Sequence, residues 1–166
     1  MREMEWPAPR GGAEFLVERP RLAARRLGGL GQTLISGDLE AAVAALAPGA
    51  PMLGLYAIAP DGAHGLRIGG TSALLVTPAP LAALDGWCDG WCATSVDDGW
   101  AAVEVSGEDA PQAVMQATSA DLGSGSPSAA VLFFGLQALL ARTPPGFRVH
   151  IEAPWLMTLI AWLDSV

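Results

Sequence analysis

Near its carboxyl end the chain carries a strand and a closing helix in succession, and this part reads Phe147-Arg148-Val149-His150-Ile151-Glu152-Ala153-Pro154-Trp155-Leu156-Met157-Thr158-Leu159-Ile160-Ala161-Trp162-Leu163. Apolar and polar residues alternate from Phe147 to Ile151, which is the period of a β-strand. Pro154 suits the first position of a helix, and the residues after it are apolar almost all the way round. An ordinary surface helix is apolar on one side only, so we expect the closing helix to have partners on several sides.

The large side chains of the closing helix share one wide face, which Met157 and Ala161 extend, while Thr158 and Asp164 look outward. The chain also contains six tryptophans, a residue type that is enriched where large surfaces meet. The sequence therefore predicts a surface that another polypeptide covers. Its interface candidates are Trp155, Leu159, Ile160, Trp162 and Leu163.

Composition limits the kinds of ligand. The net charge is −8, and six of the nine arginines lie within residues 1–26. The rest of the chain is strongly acidic, which argues against nucleic acid, because neutralising phosphates requires a basic surface. Two uncharged runs, 41–60 and 122–141, are broken by Pro and Gly and do not predict a membrane span. The first residues lack the apolar core of a secretory signal, so we expect a cytoplasmic protein.

The order of predicted elements indicates an α+β fold with two ferredoxin-like halves, each an antiparallel sheet with helices on one face. Residues 1–31 are interrupted by Pro and Gly except at 14–17 and 22–27, so they are interpreted as a flexible or partner-binding arm. The first half is placed at 32–92 and the second at 93–166.

Four local predictions bear on the fold. Ser36-Gly37-Asp38 predicts the start of a helix whose apolar stripe is Leu39, Val43 and Leu46. A helix is predicted from Pro78 to about Trp91, although Gly86 and Gly90 weaken it. Asp97-Asp98-Gly99 indicates a hairpin turn between two strands. A helix is predicted from Ser106 to about Ser119, with Pro111 in its first turn.

The candidate chemistry is sparse. Cys88 and Cys92 are interpreted as two reduced thiols near a helix end, with a redox disulfide, or a zinc site completed by His64 and His150, as alternatives. His150 should point away from Val149 and Ile151, either to solvent or into a hydrogen bond at an interface, and His64 is expected at the surface. No nucleophile and base stand in a recognisable arrangement, and the chain contains no Lys for a phosphate-binding loop.

Acids without an intervening base occupy the part of the chain from Asp85 to Asp109. Most of them are interpreted as belonging to solvated turns and helix starts, because the alternating oxygen ligands of a calcium loop are missing. We assign no catalytic residue, no cofactor-binding residue and no metal ligand to this chain.

From Gly65 onward the sequence resembles the gamma subunit of heterotetrameric sarcosine oxidase, a family that is itself similar to the folate-binding domain of glycine-cleavage aminomethyltransferase. The resemblance is carried by a glycine-ended strand and the strand after it, by a serine-glycine turn with its helix and Asp-Leu exit, and by the closing strand and helix. These segments are 64–69, 73–78, 106–110, Val114, Asp121-Leu122, 147–152 and 155–163.

The resemblance implies aminomethyltransferase-like halves and no catalytic residue in this chain, with FAD, FMN and NAD held by partner subunits. The first hypothesis is therefore a non-catalytic accessory subunit of a sarcosine oxidase-like flavoenzyme, which demethylates an N-methyl amine and passes the one-carbon unit to tetrahydrofolate. The alternative is a free-standing folate-domain-like module that binds a small molecule, alone or as a homo-oligomer. A third hypothesis is a metal or redox protein built on Cys88 and Cys92.

Overall fold

The computed structural model describes residues 14–55, 57–82 and 86–166. Within these residues the chain forms twelve strands, three α-helices and one short 3₁₀ turn at Ala153–Trp155. The strands are β1 Glu14–Arg19, β2 Leu22–Leu27, β3 Gly31–Gly37, β4 Met52–Leu53, β5 His64–Arg67, β6 Ser72–Thr77, β7 Gly86–Cys88, β8 Trp91–Ser95, β9 Trp100–Ser106, β10 Ala130–Phe133, β11 Leu136–Thr143 and β12 Gly146–Glu152. The helices are α1 Leu39–Leu46, α2 Ala110–Ala117 and α3 Leu156–Ser165.

The strands form two six-stranded sheets. The first, which we call the β3 sheet, has the order β4-β5-β6-β3-β8-β7, and the second, the β9 sheet, has the order β1-β2-β9-β12-β11-β10. All pairs are antiparallel except β4 with β5. Every strand of the β3 sheet precedes β9 along the chain, whereas the β9 sheet combines two early strands with four late ones.

Helix α1 covers the outer face of the β3 sheet. Its N-cap is Asp38, whose carboxylate accepts a hydrogen bond from the main-chain N–H of Ala41 at 3.0 Å. Leu39 and Ala42 are the buried residues of α1, and they pack against apolar side chains of β3, β6 and β8. The predicted helix after Asp38 is thus confirmed.

Helices α2 and α3 cover the outer face of the β9 sheet. Val103, Val149 and Ile151, which are alternate residues of β9 and β12, share one core with Leu159 and Leu163 of α3. The phenyl ring of Phe134, in the turn between β10 and β11, stacks on Trp162 at 5.5 Å and 14°. The closing strand and helix predicted from the sequence are confirmed, and α2 is confirmed over a shorter span than predicted.

The inner faces of the two sheets lie against each other. Leu66, Leu74 and Val76 of the β3 sheet share a core with Leu139 and Ala141 of the β9 sheet. The order of layers is therefore helix, sheet, sheet, helices, with the two sheets inside. This arrangement confirms the predicted α+β class.

Residues 14–27 correct the prediction of an N-terminal arm. β1 and β2 form an antiparallel hairpin, and β2 pairs with β9, so these residues are part of the β9 sheet and not a free arm. Gly107, at the end of β9, has a φ of +107° and lies against the main-chain oxygen of Arg21, where a larger residue would clash. Residues 1–13 of the predicted arm lie outside the described residues.

Two other local predictions are wrong. The helix expected at 78–91 is replaced by β7, the turn after it and the start of β8; residues 83–85 of that span lie outside the described residues. The turn at Asp97-Asp98-Gly99 does not close a hairpin, because β8 pairs within the β3 sheet and β9 within the β9 sheet. That turn connects the two sheets instead.

Candidate functional site

The closing helix contacts its own chain on one side and leaves the other side open. Leu159 and Leu163 are completely buried in the core of the β9 sheet. They are therefore not available to a partner, which corrects their place among the interface candidates. Ile160 and Trp162 are half-buried against the same core, and Trp155 is 43% exposed. Contact of these last three with a partner stays a prediction.

Met157 is more exposed than any of the five candidates, at 71%. The helical period predicts that Met157 and Ala161 extend the apolar face of the closing helix, but in the structure both residues lie on the solvent side of α3. We call Trp155, Met157 and Ala161 the closing-helix surface. This surface is smaller than the sequence predicts, because the other apolar side chains of α3 pack into or against the core of the β9 sheet.

A polar cluster between the two sheets is the second feature that sequence reasoning did not anticipate. We call Gln32, His64, Glu104, Arg148 and His150 the inter-sheet polar cluster. Gln32, His64, Glu104 and His150 are buried, and Arg148 is half-buried. Glu104, Arg148 and His150 lie on the inner face of the β9 sheet, at positions that alternate with the apolar core residues of β9 and β12. Gln32 and His64 lie on the inner face of the β3 sheet, where both pair with Val76 of β6.

Glu104 occupies the centre of the charged part of this cluster. Its neighbours across the sheet are Arg25 on β2 and Arg148 on β12. One Glu104 carboxylate oxygen accepts from Arg25 at 2.7 Å, and the other lies 3.8 Å from Arg148. Glu104 is therefore not one of the solvated acids of this segment, because it is buried between cationic residues on both neighbouring strands.

Hydrogen bonds fix which ring nitrogen carries the proton in each of the two histidines when the ring is neutral. The side-chain N–H of Gln32 donates to the main-chain oxygen of Trp100 at 2.9 Å, which leaves the Gln32 oxygen to accept from Nδ1 of His150 at 2.9 Å. Nδ1 of His64 donates to the main-chain oxygen of Gly62 at 2.9 Å. In the neutral rings Nε2 is then the unprotonated nitrogen, and both Nε2 atoms are buried without a protein partner among the described residues.

Burial and charge keep both rings neutral. Burial lowers the pKa of His150 to about 3, and the positive charge of Arg148 and the nearby His64 act in the same direction. Burial likewise lowers the pKa of His64, against the opposing effect of its bond to Gly62. His150 thus points away from Val149 and Ile151 as predicted and is bonded at an internal interface, but the surface position expected for His64 is wrong.

The cysteines lie on the neighbouring strands β7 and β8, and not at the end of the helix predicted at 78–91. Cys88 on β7 is exposed, Cys92 on β8 is half-buried, and both are free thiols. The Sγ of Cys92 lies 3.0 Å from the hydroxyl oxygen of Ser36. Within residues 14–55, 57–82 and 86–166 no three His, Cys, Asp or Glu side chains are grouped to hold a metal ion, so the four-residue zinc alternative finds no support there.

A groove of about 540 Å³ lies between the β1–β2 turn, α2 and the end of α3. Its two arginines already have partners in the chain. Arg19 donates to the main-chain oxygens of Leu163 and Val166, and Arg21 pairs with Glu108 and Asp109. Arg19 thereby stabilises the C-terminal end of α3, where carbonyl groups lack helical partners.

Comparison with known proteins identifies the fold. No protein-family model matches the chain, and no curated protein matches it in sequence. The structure is similar to a chain of the heterotetrameric sarcosine oxidase from Corynebacterium sp. U-96, solved in complex with pyrrole 2-carboxylate. The TM-score is 0.72 and the identity 19%, over 90% of this chain and 85% of that chain. The fold implied by the sequence resemblance is therefore confirmed.

None of the helices that the structure describes is long and apolar enough to cross a membrane.

Proposed function

We propose that this chain is a non-catalytic accessory subunit, of the gamma type, of a heterotetrameric sarcosine oxidase-like flavoenzyme. The enzyme would demethylate an N-methyl amine in the cytoplasm and pass the one-carbon unit to tetrahydrofolate. In this proposal FAD, FMN and NAD belong to the partner subunits, and the present chain contributes contact surface alone.

The observation that carries the proposal is the fold match, which extends over nearly the whole of both chains. Because the match covers similar fractions of each, the sarcosine oxidase chain is about as long as this one, and the similarity is not to one domain of a large subunit. A small chain of the same fold in a multi-subunit enzyme supports a subunit role.

The chemistry of the described residues supports the accessory part of the proposal. Glu104 is buried and bound to two arginines of its own sheet, and the two histidines are buried and neutral, so these three side chains are enclosed within the chain. The apolar side chains of the closing-helix surface face solvent. Contiguous exposed apolar patches on a protein surface mark sites of contact with other proteins.

The test is to co-express the chain with the two largest subunits of a sarcosine oxidase-like enzyme from the same genome and to purify through a tag on the largest. We expect the chain to co-elute with the flavin absorbance in a fixed stoichiometry. Trp155→Ser and Met157→Ser should each weaken its retention at least about tenfold, as expected for central contact residues. Ile58→Ser is the matched control, because Ile58 is also exposed but lies away from α3.

A chain that stays monomeric beside the assembled large subunits would contradict the proposal. Thermal stabilisation of that monomer by a folate would instead support the free-standing binding module. Turnover of an N-methyl amine by the isolated chain would contradict both.

A further inference from the structure

Strand β7 is the last strand at one edge of the β3 sheet, and no other described strand pairs with its outer side. It pairs with β8 on one side, and its three residues, Gly86 to Cys88, are exposed. The indole of Trp87 is 78% exposed. An unpaired strand edge presents main-chain donors and acceptors that another strand can meet.

Three acidic side chains lie at the turn after β7 and at the start of α1. The main-chain N–H of Asp38 donates to the oxygen of Gly90 at 2.9 Å, which holds the start of α1 against the turn between β7 and β8. Asp38, Glu40 and Asp89 are all exposed there. We call Trp87, Cys88, Asp89, Asp38 and Glu40 the β7 edge surface.

Within residues 14–55, 57–82 and 86–166, the β3 sheet has no Arg or Lys next to these acids. The sequence contains no Lys, Arg or His between Arg67 and Arg142. Arg67 itself is on β5, with β6, β3 and β8 between it and β7. Among the described residues, the β7 edge surface therefore combines an exposed indole and an edge strand with negative charge that no cation of the same sheet neutralises.

This charge discriminates between possible occupants. A second copy of the chain, paired edge to edge, would bring the two sets of acids together, and like charges across a strand pair are destabilising. A strand that carries Arg or Lys meets complementary charge at the same edge. Addition of such a strand would use the main chain for affinity and the indole for an apolar contact.

We propose that the β7 edge surface docks an extended segment of a large partner subunit, with at least one Arg or Lys facing Asp89 and Glu40 and an apolar side chain on Trp87. The identity of the partner rests on the proposed function. The surface is separate from the closing-helix surface, since β7 belongs to the β3 sheet and α3 covers the β9 sheet.

The first experiment measures the affinity of the chain for the co-expressed large subunits. Trp87→Ser should weaken the Kd about 30-fold, the factor expected when a tryptophan hot spot is lost. Leu132→Ser is the matched control, because Leu132 is an exposed apolar residue on β10, the edge strand of the other sheet. Both replaced side chains are exposed, and unchanged thermal melting of the free variants verifies that both fold.

The second experiment tests the charge. Raising the salt concentration from about 0.05 to about 0.5 M should raise the wild-type Kd at least about tenfold. The reason is that salt screens the attraction between the exposed acids of the chain and the basic residues of the partner. The double variant Glu40→Gln and Asp89→Asn should lose most of that dependence. Both replacements keep the size of the side chain and leave the N-cap Asp38 unchanged.

A third measurement locates the contact. In a Cys92→Ser background, alkylation of Cys88 should slow at least about tenfold in the assembly, and the amides of 86–88 should gain protection from hydrogen exchange. If the wild-type chain assembles while Trp87→Ser assembles equally well and Cys88 stays reactive, the docking proposal fails and the proposed function stands. If the wild-type chain does not assemble, both fail.

Discussion

The two faces of the β9 sheet are formed by alternate residues of the same strands, but they bury different kinds of side chain. On the outer face Val103, Val149 and Ile151 meet the apolar sides of α2 and α3. On the inner face Glu104 and Arg148 form a charged row with Arg25, beside the His150 ring. Apolar contacts are non-directional and tolerate many partners, whereas a buried charge is stable only when a particular partner is in place.

The largest effect is expected from Glu104→Ala, on the inner face. The variant leaves Arg148 half-buried and without its carboxylate, so the free energy of unfolding should fall by about 4 kcal/mol, as measured by urea denaturation. The double variant Glu104→Leu and Arg148→Met should recover most of that loss, because an apolar pair needs no charge partner. A loss below about 1 kcal/mol in the single variant would remove the contrast between the faces.

Leu159→Ala, on the outer side, should cost about 3 kcal/mol, since the side chain is completely buried in the apolar core. The same denaturation series measures it. Leu159→Met is the control and should cost less than about 1.5 kcal/mol, because it conserves volume. If Leu159→Met lowers the free energy of unfolding as much as Leu159→Ala, the outer face requires a specific side-chain shape and not only an apolar side chain of the right volume.

The histidines predict a pH dependence that belongs to the inner face. The folded-state pKa of His150 is about 3, below its ordinary value of 6.5, so the stability it confers is complete above pH 6.5 and is lost as the pH falls towards 3. From pH 7 to pH 5, His150 alone should lower the free energy of unfolding by about 2 kcal/mol. The measurement is a pair of urea titrations at the two pH values.

His150→Gln is the control for this pH dependence. It should reduce the difference between pH 7 and pH 5, and the remainder should come mainly from His64, whose pKa is also lowered. An unchanged difference in this variant would show that other groups cause it.

Arg25→Ala should have the smallest effect, below about 1 kcal/mol, although Arg25 is closer than Arg148 to Glu104. The Arg25 side chain is 42% exposed, so water competes for its charge, and Arg148 still faces the carboxylate. High salt should reduce this small effect further. If Arg25→Ala lowers the free energy of unfolding as much as Glu104→Ala, the distance of an arginine from Glu104, and not its burial, determines how much it contributes to stability.

The orientation of His150 was predictable, but its surroundings were not. Alternation with Val149 and Ile151 places the ring on the opposite face of β12 because successive residues of any strand point to opposite sides. That the opposite face is buried depends on Gln32, which is 118 positions away along the chain. The surroundings of Glu104 were equally unpredictable, because its two arginine neighbours come from the distant strands β2 and β12.

The errors in the sequence reading have similar causes. β1 and β2 are short and flanked by Pro and Gly, and what makes them a stable hairpin is the pairing of β2 with β9. The helix expected at 78–91 contained Gly86 and Gly90, and in the structure Gly90 has a φ of +82°, as a turn requires. The closing helix was expected to need a partner on several sides, but the β9 sheet covers Leu159 and Leu163.

Local periodicity in the residues was sufficient for the closing strand, the closing helix, α1, α2 and the α+β class, because strand and helix periods are properties of the nearby backbone. The membership of β1 and β2 in the β9 sheet, the burial of His64, His150 and Glu104, and the exposure of Met157 and Trp87 emerged only with the folded chain. Each of these depends on which distant segment lies opposite, and a one-dimensional pattern specifies the side on which a residue points but not what covers it.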